Sequence, residues 1–194
     1  MRTRQLRTLM SVDDMVGRIM STLVNTGQLA NTLAFYVSDN GYHWSEHGLP
    51  GKGSPYLQSV RIPFLARWPG HLAAGATDAR LVANVDIAPT ALQAAGLSPR
   101  TPFDGRPLTS SVERERMLIE YWAGQQNGPP PWASRLTSRD QYIEFYDPTT
   151  GDVTFREYYD LSTDPWQLTN LSTPPAGVAA QLAADRVCAG ISCP

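Results

Sequence analysis

The side chains best suited to chemistry lie close together in one stretch: Asp39, Asn40, His43, His47 and Lys52. Asp39 and Asn40 set a carboxylate beside an amide carbonyl, and hard oxygen donors of this kind suit Ca²⁺ or Mg²⁺. A lysine and a histidine beside such a cation can neutralise charge that develops on an anionic ester oxygen. Each feature also has a plainer local reading. Asp and Asn in a turn commonly hydrogen-bond their own backbone, and a lysine in a Gly-rich loop is commonly just solvated. His43 and His47 have the i, i+4 spacing of a helical zinc motif, but Gly48, Pro50, Gly51 and Gly53 argue against a helix there. Taken by themselves, these residues read as an Asx-turn and a polar loop.

The elements around them say more. Val12, Met15, Val16, Ile19, Met20, Leu23 and Val24 recur at helical spacing and predict an amphipathic helix with Ser11 as N-cap and Asn25 and Gly27 at its end. Thr32-Leu33-Ala34-Phe35-Tyr36-Val37 is a short continuous apolar run that predicts a buried strand. It stops at Ser38-Asp39-Asn40-Gly41, which is turn chemistry. Helix, buried strand and polar turn in that order predict an α/β parallel sheet, in which ligands bind beyond the carboxyl ends of strands. Asp39 sits at such an end. Residues 42–60 form a long polar loop, a length that is usually functional when it occurs inside a compact domain. Val60-Arg61-Ile62-Pro63-Phe64-Leu65-Ala66-Arg67-Trp68 predicts a second strand, and Ala88 to Ala95 a short helix with Pro89 early and Gly96 as its stop.

The texture changes after residue 112. Arg116–Trp122, Gln141–Tyr146 and the neighbourhood of Thr154–Tyr159 predict an antiparallel sheet with one wet face, and residues 175–187 a closing helix. The expected fold class is therefore α/β: the C-terminal part of a mixed, mostly parallel sheet flanked by helices, plus a small antiparallel sheet with a C-terminal helix. The expected domains are 1–112 and 113–194. The formal net charge of −2 in 194 residues speaks against nucleic acid as a partner. No apolar run is long enough to span a membrane, and no signal-peptide core follows the basic start. Cys188 and Cys193 are either a small disulfide loop, which would hint at export, or two free thiols.

The run Val37-Ser38-Asp39-Asn40-Gly41-Tyr42-His43-Trp44-Ser45-Glu46-His47-Gly48-Leu49, followed by Gly51-Lys52-Gly53-Ser54-Pro55-Tyr56, resembles the sulfatase family of the alkaline phosphatase superfamily. The likeness continues through Val60-Arg61-Ile62-Pro63-Phe64, Trp68-Pro69-Gly70, Asn84-Val85-Asp86-Ile87-Ala88-Pro89-Thr90, Ala95-Gly96-Leu97 and Asp104-Gly105-Arg106-Pro107-Leu108. It closes on Tyr158-Tyr159-Asp160-Leu161-Ser162-Thr163-Asp164-Pro165-Trp166-Gln167-Leu168-Thr169-Asn170-Leu171. The resemblance implies that Asp39 and Asn40 are the later ligands of a divalent cation, usually Ca²⁺, and that Lys52 contacts the sulfate group of a sulfate-ester substrate. His47 lies in the same loop as a substrate-side or structural histidine, and His43 has the same standing. Asp86 is expected to cap the helix near Pro89, and Arg61 to buttress the loop.

The family nucleophile is a formylglycine made from Cys or Ser in a Cys/Ser-x-Pro/Ala-x-Arg motif of the N-terminal half, and that motif does not occur in these residues. The expectation is therefore a C-terminal portion of a sulfuric ester hydrolase, carrying an incomplete cation and sulfate site and inactive alone: a truncated gene product, a fragment of an incomplete assembly or the partner of a separately encoded N-terminal half. Two alternatives accompany it. One is a non-catalytic remnant serving as a binding or interaction module. The other is a fragment of a related phosphoester or phosphonate hydrolase, against which Asn40 leans, since many phospho-specific relatives carry Asp-His at that turn.

Overall fold

The computed structural model describes residues 2–122 and 128–194. They form two compact units, one made of the chain up to Tyr36 with Leu65–Ala76, the other of Val37–Phe64 with Thr77–Pro194.

In the first unit, helix α1 runs Arg2–Asn25. It starts more than two turns before Ser11, so Ser11 lies inside the helix and is not its N-cap. The long polar side chains of the opening segment are good helix formers even where the apolar spacing is sparse. Val12, Val16, Met20 and Leu23 form its half-buried stripe, while Leu9, Met10, Met15 and Ile19 are each at least half exposed. Gly27, at φ +70°, ends the helix as expected. Strand β1 (Ala34–Val37) neighbours β4 (Phe64–Arg67) in a two-stranded sheet. The Arg67 guanidinium donates to the Leu29 carbonyl at 2.7 Å and ties β4 to the single helical turn that precedes β1.

The second unit holds the loop that follows β1. The loop is organised into β2 (His43–Trp44), which pairs antiparallel with β3 (Pro50–Gly51), and a one-turn helix α2 (Leu57–Val60). Helix α3 covers Ile87–Ala94. The antiparallel sheet has four strands in sequential order, β5 (Met117–Tyr121), β6 (Trp132–Leu136), β7 (Asp140–Tyr146) and β8 (Val153–Asp160), and α4 (Val178–Asp185) follows. The mixed α/β class with a small antiparallel sheet and a closing helix is thus as expected. β6 was not, because Trp-Ala-Ser-Arg-Leu shows no clean alternation.

The wet sheet face expected from the alternation is not found on the central strand. Gln141, Tyr142, Ile143 and Glu144 of β7 are all buried. One face packs Ala133, Tyr142, Tyr146 and Tyr158 against Val178 and Leu182 of α4. The other packs Trp132, Ile143 and Tyr159 against Tyr56 and Val60 of the loop. The polar half of the alternation is kept inside by hydrogen bonds: Glu144 accepts from the hydroxyls of Tyr142 and Tyr146 at 2.7 and 2.8 Å.

Candidate functional site

The turn after β1 is held by its own polar atoms. Asp39 Oδ1 accepts the Asn40 N–H at 3.0 Å, and the Ser38 hydroxyl donates to the Asn40 carbonyl at 2.9 Å. The Asn84 side-chain amide reaches the Ser38 carbonyl at 3.4 Å. Gly41 then brings the chain against α2, donating its N–H to the Ser59 carbonyl at 2.7 Å. A Cβ on Gly41 would lie 2.1 Å from the Gln58 carbonyl oxygen, so only glycine permits this approach.

Lys52, just beyond β3, reaches back to this turn. Its Nζ stands 3.5 Å from Asp39 Oδ2, and the two side chains are 59% and 80% exposed. What little burial there is pushes the Asp39 carboxyl up. The Lys52 ammonium and the Asn40 N–H pull it further down, leaving it below the ordinary carboxylate range and ionised at neutral pH. Asp39, Asn40 and Lys52 therefore come together as one open, polar cluster. The donors of Asp39 and Asn40 fit a hard cation in kind. They fall short of its usual six to eight oxygens, and among the described residues no group of three or more His, Cys, Asp or Glu side chains gathers to complete a set.

The two histidines face inward. His43 is 1% exposed, and its Nε2 lies 2.6 Å from the Ser54 hydroxyl. Burial, with some help from His47, pushes its pKa down, towards the neutral imidazole. His47 sits at φ +55° with its ring stacked on Tyr56 at 4.0 Å. Its ring contacts are with Tyr56 and His43.

Asp86 occupies the residue before α3 but makes no side-chain cap to that helix. Instead it is buried in a bidentate pair with Arg114, at 2.8 Å on both oxygens, and accepts the N–H groups of Ala83 and Arg106. The expected capping role is corrected to that of an anchor, because a fully buried carboxylate is stable only with its charge matched. The Arg61 side chain is exposed, and its loop contact is through backbone, its carbonyl being the third-nearest atom to the absent Gly41 side chain.

Sequence reasoning missed the residues beneath Lys52. The Trp132 indole donates to the Gly53 carbonyl at 2.8 Å, and the Gly53 N–H donates to the Ser59 hydroxyl at 2.9 Å. The Tyr56 hydroxyl donates to Glu157 Oε1 at 3.1 Å. Gln141 and Gln167 bind the backbone at Pro55 and Leu57. The available signal was confined to Gln141 and Glu157, polar positions in strands expected to have one wet face, which read as surface when the partner loop is unknown.

A family model described as Sulfatase matches residues 1–97. The chain is 32% identical to the human N-acetylglucosamine-6-sulfatase over 87% of its own length and 37% of that protein's. It is 42% identical to a putative extracellular sulfatase Sulf-1 homolog of Caenorhabditis elegans over 73% of its length and 21% of that protein's. It thus spans little more than a third of the human relative. Among solved structures it is similar to BT4656 in complex with its substrate D-glucosamine-2-N,6-O-disulfate. The TM-score is 0.78 at 27% identity, covering 89% of this chain and 36% of that one. It is similar as well to the phosphonate monoester hydrolase of Agrobacterium radiobacter, at TM-score 0.73 and 27% identity, covering 89% and 37%. With the family model covering half of its residues and the Asp39–Lys52 cluster lying inside the match, the chain belongs to the sulfatase family.

Proposed function

We propose that these residues form one side of the cation and sulfate-ester site of a sulfuric ester hydrolase, with Asp39 and Asn40 as cation ligands and Lys52 as the sulfate contact. The observation that carries this reading is the 3.5 Å approach of the Lys52 ammonium to Asp39 at the end of β1. A site that gathers a carboxylate and an ammonium in the open is poised to receive a cation on one and an anion on the other. A bound Ca²⁺ or Mg²⁺ would supply positive charge opposite the ester oxygens. Lys52 would then turn from Asp39 to the sulfate, orient it, and offset charge there as the ester bond breaks. His47, stacked on Tyr56, belongs to the wall of the same loop and has a substrate-side role. Residues 1–112 are the share of the catalytic α/β domain and 113–194 a small subdomain. The Cys188–Cys193 disulfide, with Cα atoms 5.0 Å apart, favours an oxidising compartment and hence export. The nucleophile comes from a segment outside these residues.

The test is titration of the full 194-residue chain with inorganic sulfate and with Ca²⁺, beside an aryl sulfate turnover assay. The expected results are weak Ca²⁺ binding, with a Kd on the order of 10⁻³ M, sulfate binding lost in Lys52→Ala, and no turnover. Tight one-to-one Ca²⁺ binding lost in Asp39→Ala would contradict the incomplete ligand set. Turnover that survives Lys52→Ala would overturn the assignment of the site.

A second reading, a phosphoester or phosphonate hydrolase, is favoured by the likeness to the Agrobacterium enzyme. Inorganic phosphate binding more tightly than sulfate, with the same dependence on Lys52, would decide for it. A non-catalytic binding module would keep the sulfate site with no coding sequence for a nucleophile motif upstream of Met1 or in an adjacent gene.

A further inference from the structure

We propose that the four-stranded sheet is a clamp that sets the position of Lys52, with Gln141 and Gln167 as its positioning residues. This deepens the reading of Lys52 as the sulfate contact and rests on it. Lys52 is a long, exposed side chain that gains little order from its own surroundings. Its backbone, however, is gripped on both sides. Before it, β3 pairs with β2, His43 opposite Gly51. After it, four successive anchors run from the sheet into residues 53–57. Trp132 of β6 donates to the Gly53 carbonyl. Gln141 of β7 donates its amide to the Pro55 carbonyl at 2.8 Å and to the Ser134 hydroxyl at 2.7 Å. Glu157 of β8 accepts from Tyr56. Gln167, in the turn beyond β8, accepts the Leu57 N–H at 2.8 Å and donates its own amide to the Gln141 carbonyl oxygen.

The two glutamines form one continuous chain of buried amides, at 0% and 1% exposure, from loop backbone to strand and back to loop backbone. A buried amide is costly to hold unless its donors and acceptor are matched. Here two of the four hydrogen bonds that match them are made with the lysine loop itself. The loop has no long ladder of its own, so these side chains take the place of a strand partner and fix it against a rigid element. The Gln167 backbone is held at φ +57°, a conformation that non-glycine residues rarely adopt, which indicates that the amide's placement is determined by its surroundings.

The experiment uses the full chain and its Gln141→Leu and Gln167→Leu variants, which keep side-chain volume while removing the amides, with Lys52→Ala as reference. Amide hydrogen exchange is read at Gly53 and Leu57 in the loop and at Ile143 and Tyr158 in the sheet, and inorganic sulfate affinity is read by NMR titration. The expected result is faster exchange in the loop with the sheet unchanged, and sulfate affinity reduced about tenfold in each variant. A double variant should be scarcely weaker than either single one, since the two amides act as one chain. Unchanged loop exchange overturns the clamp, and so does sheet exchange rising in step with the loop, which would make the glutamines simply structural. Loop exchange that rises while sulfate affinity holds, in a chain where Lys52→Ala abolishes binding, also overturns it. If Lys52→Ala leaves the sulfate response intact, the sulfate reading fails separately, and the exchange data then decide the clamp alone.

Discussion

Asp86 and Glu157 are both acids buried in the second unit, and their surroundings drive them in opposite directions. Burial raises the pKa of each. Asp86 faces the Arg114 guanidinium and two backbone N–H groups, which more than offset the burial and leave it below the ordinary range. Among the described residues Glu157 meets the neutral hydroxyls of Tyr56 and Tyr159, which recover part of the loss, so its pKa stays raised above 4.5. The two titrations therefore act on stability with opposite sign. Asp86 stabilises the fold above its unfolded pKa of 3.8, and that contribution is lost as pH falls through its lower folded value. For Glu157, stability is greatest below 4.5 and declines as pH rises through its folded value. Glu157→Gln keeps an acceptor for Tyr56 and removes the charge, so thermal unfolding of this variant should match wild type at pH 4 and occur at higher temperature at pH 7.5. A variant less stable than wild type at pH 7.5 would show that the carboxylate is matched by a positive group.

The turn, the loop and the sheet show which parts of an element a sequence can announce. The β1 strand and its polar stop, helix α3 and the strand at Gln141–Tyr146 were legible because spacing and turn chemistry are local, but the burial expected of β1 was not found: none of its four residues is buried and Tyr36 is exposed. The cluster of Asp39, Asn40 and Lys52 was legible only as an ordered set of motif residues, since a turn and a lysine alone are commonplace. What supports them was not legible: Trp132, Gln141 and Gln167 act on backbone atoms far away along the chain, and no local pattern encodes a partner at that distance. Gly41 is the exception, a motif glycine whose reason appears only when α2 packs against the turn. Because the nearest obstacles to a Cβ at Gly41 are backbone atoms, at 2.1, 2.9 and 3.0 Å, no side-chain rotation can relieve the clash. Gly41→Ala should destabilise the chain by about 1–3 kcal/mol, the range for overpacking a close contact, and move the Asp39 turn away from α2. Urea denaturation measures the first. A midpoint equal to that of wild type would mean that the turn does not depend on this contact.

At the scale of the whole molecule, the conspicuous feature is α1. A helix of 24 residues gains most of its stability in water from packing one face against something. Among the described apolar residues of α1, Val12, Val16, Met20 and Leu23 are half-buried, while Leu6, Leu9, Met10, Met15, Ile19 and Val24 stay at least half exposed. Leu65 of β4 is exposed as well. This many large apolar side chains left open on one helix and a short strand pair is more than monomeric proteins usually leave in water, and it favours association. The chain therefore should self-associate when purified, with a mass by light scattering above that of one copy and rising with concentration. Replacing Leu9, Met15 and Ile19 together by lysine removes three of the exposed apolar side chains of α1 and leaves good helix formers in their place. That variant should shift the mass towards a single copy while far-ultraviolet circular dichroism keeps its helical signal. A wild-type chain that is monomeric at every concentration, with its helical signal intact, would show that the exposed face of α1 is tolerated in water as it stands.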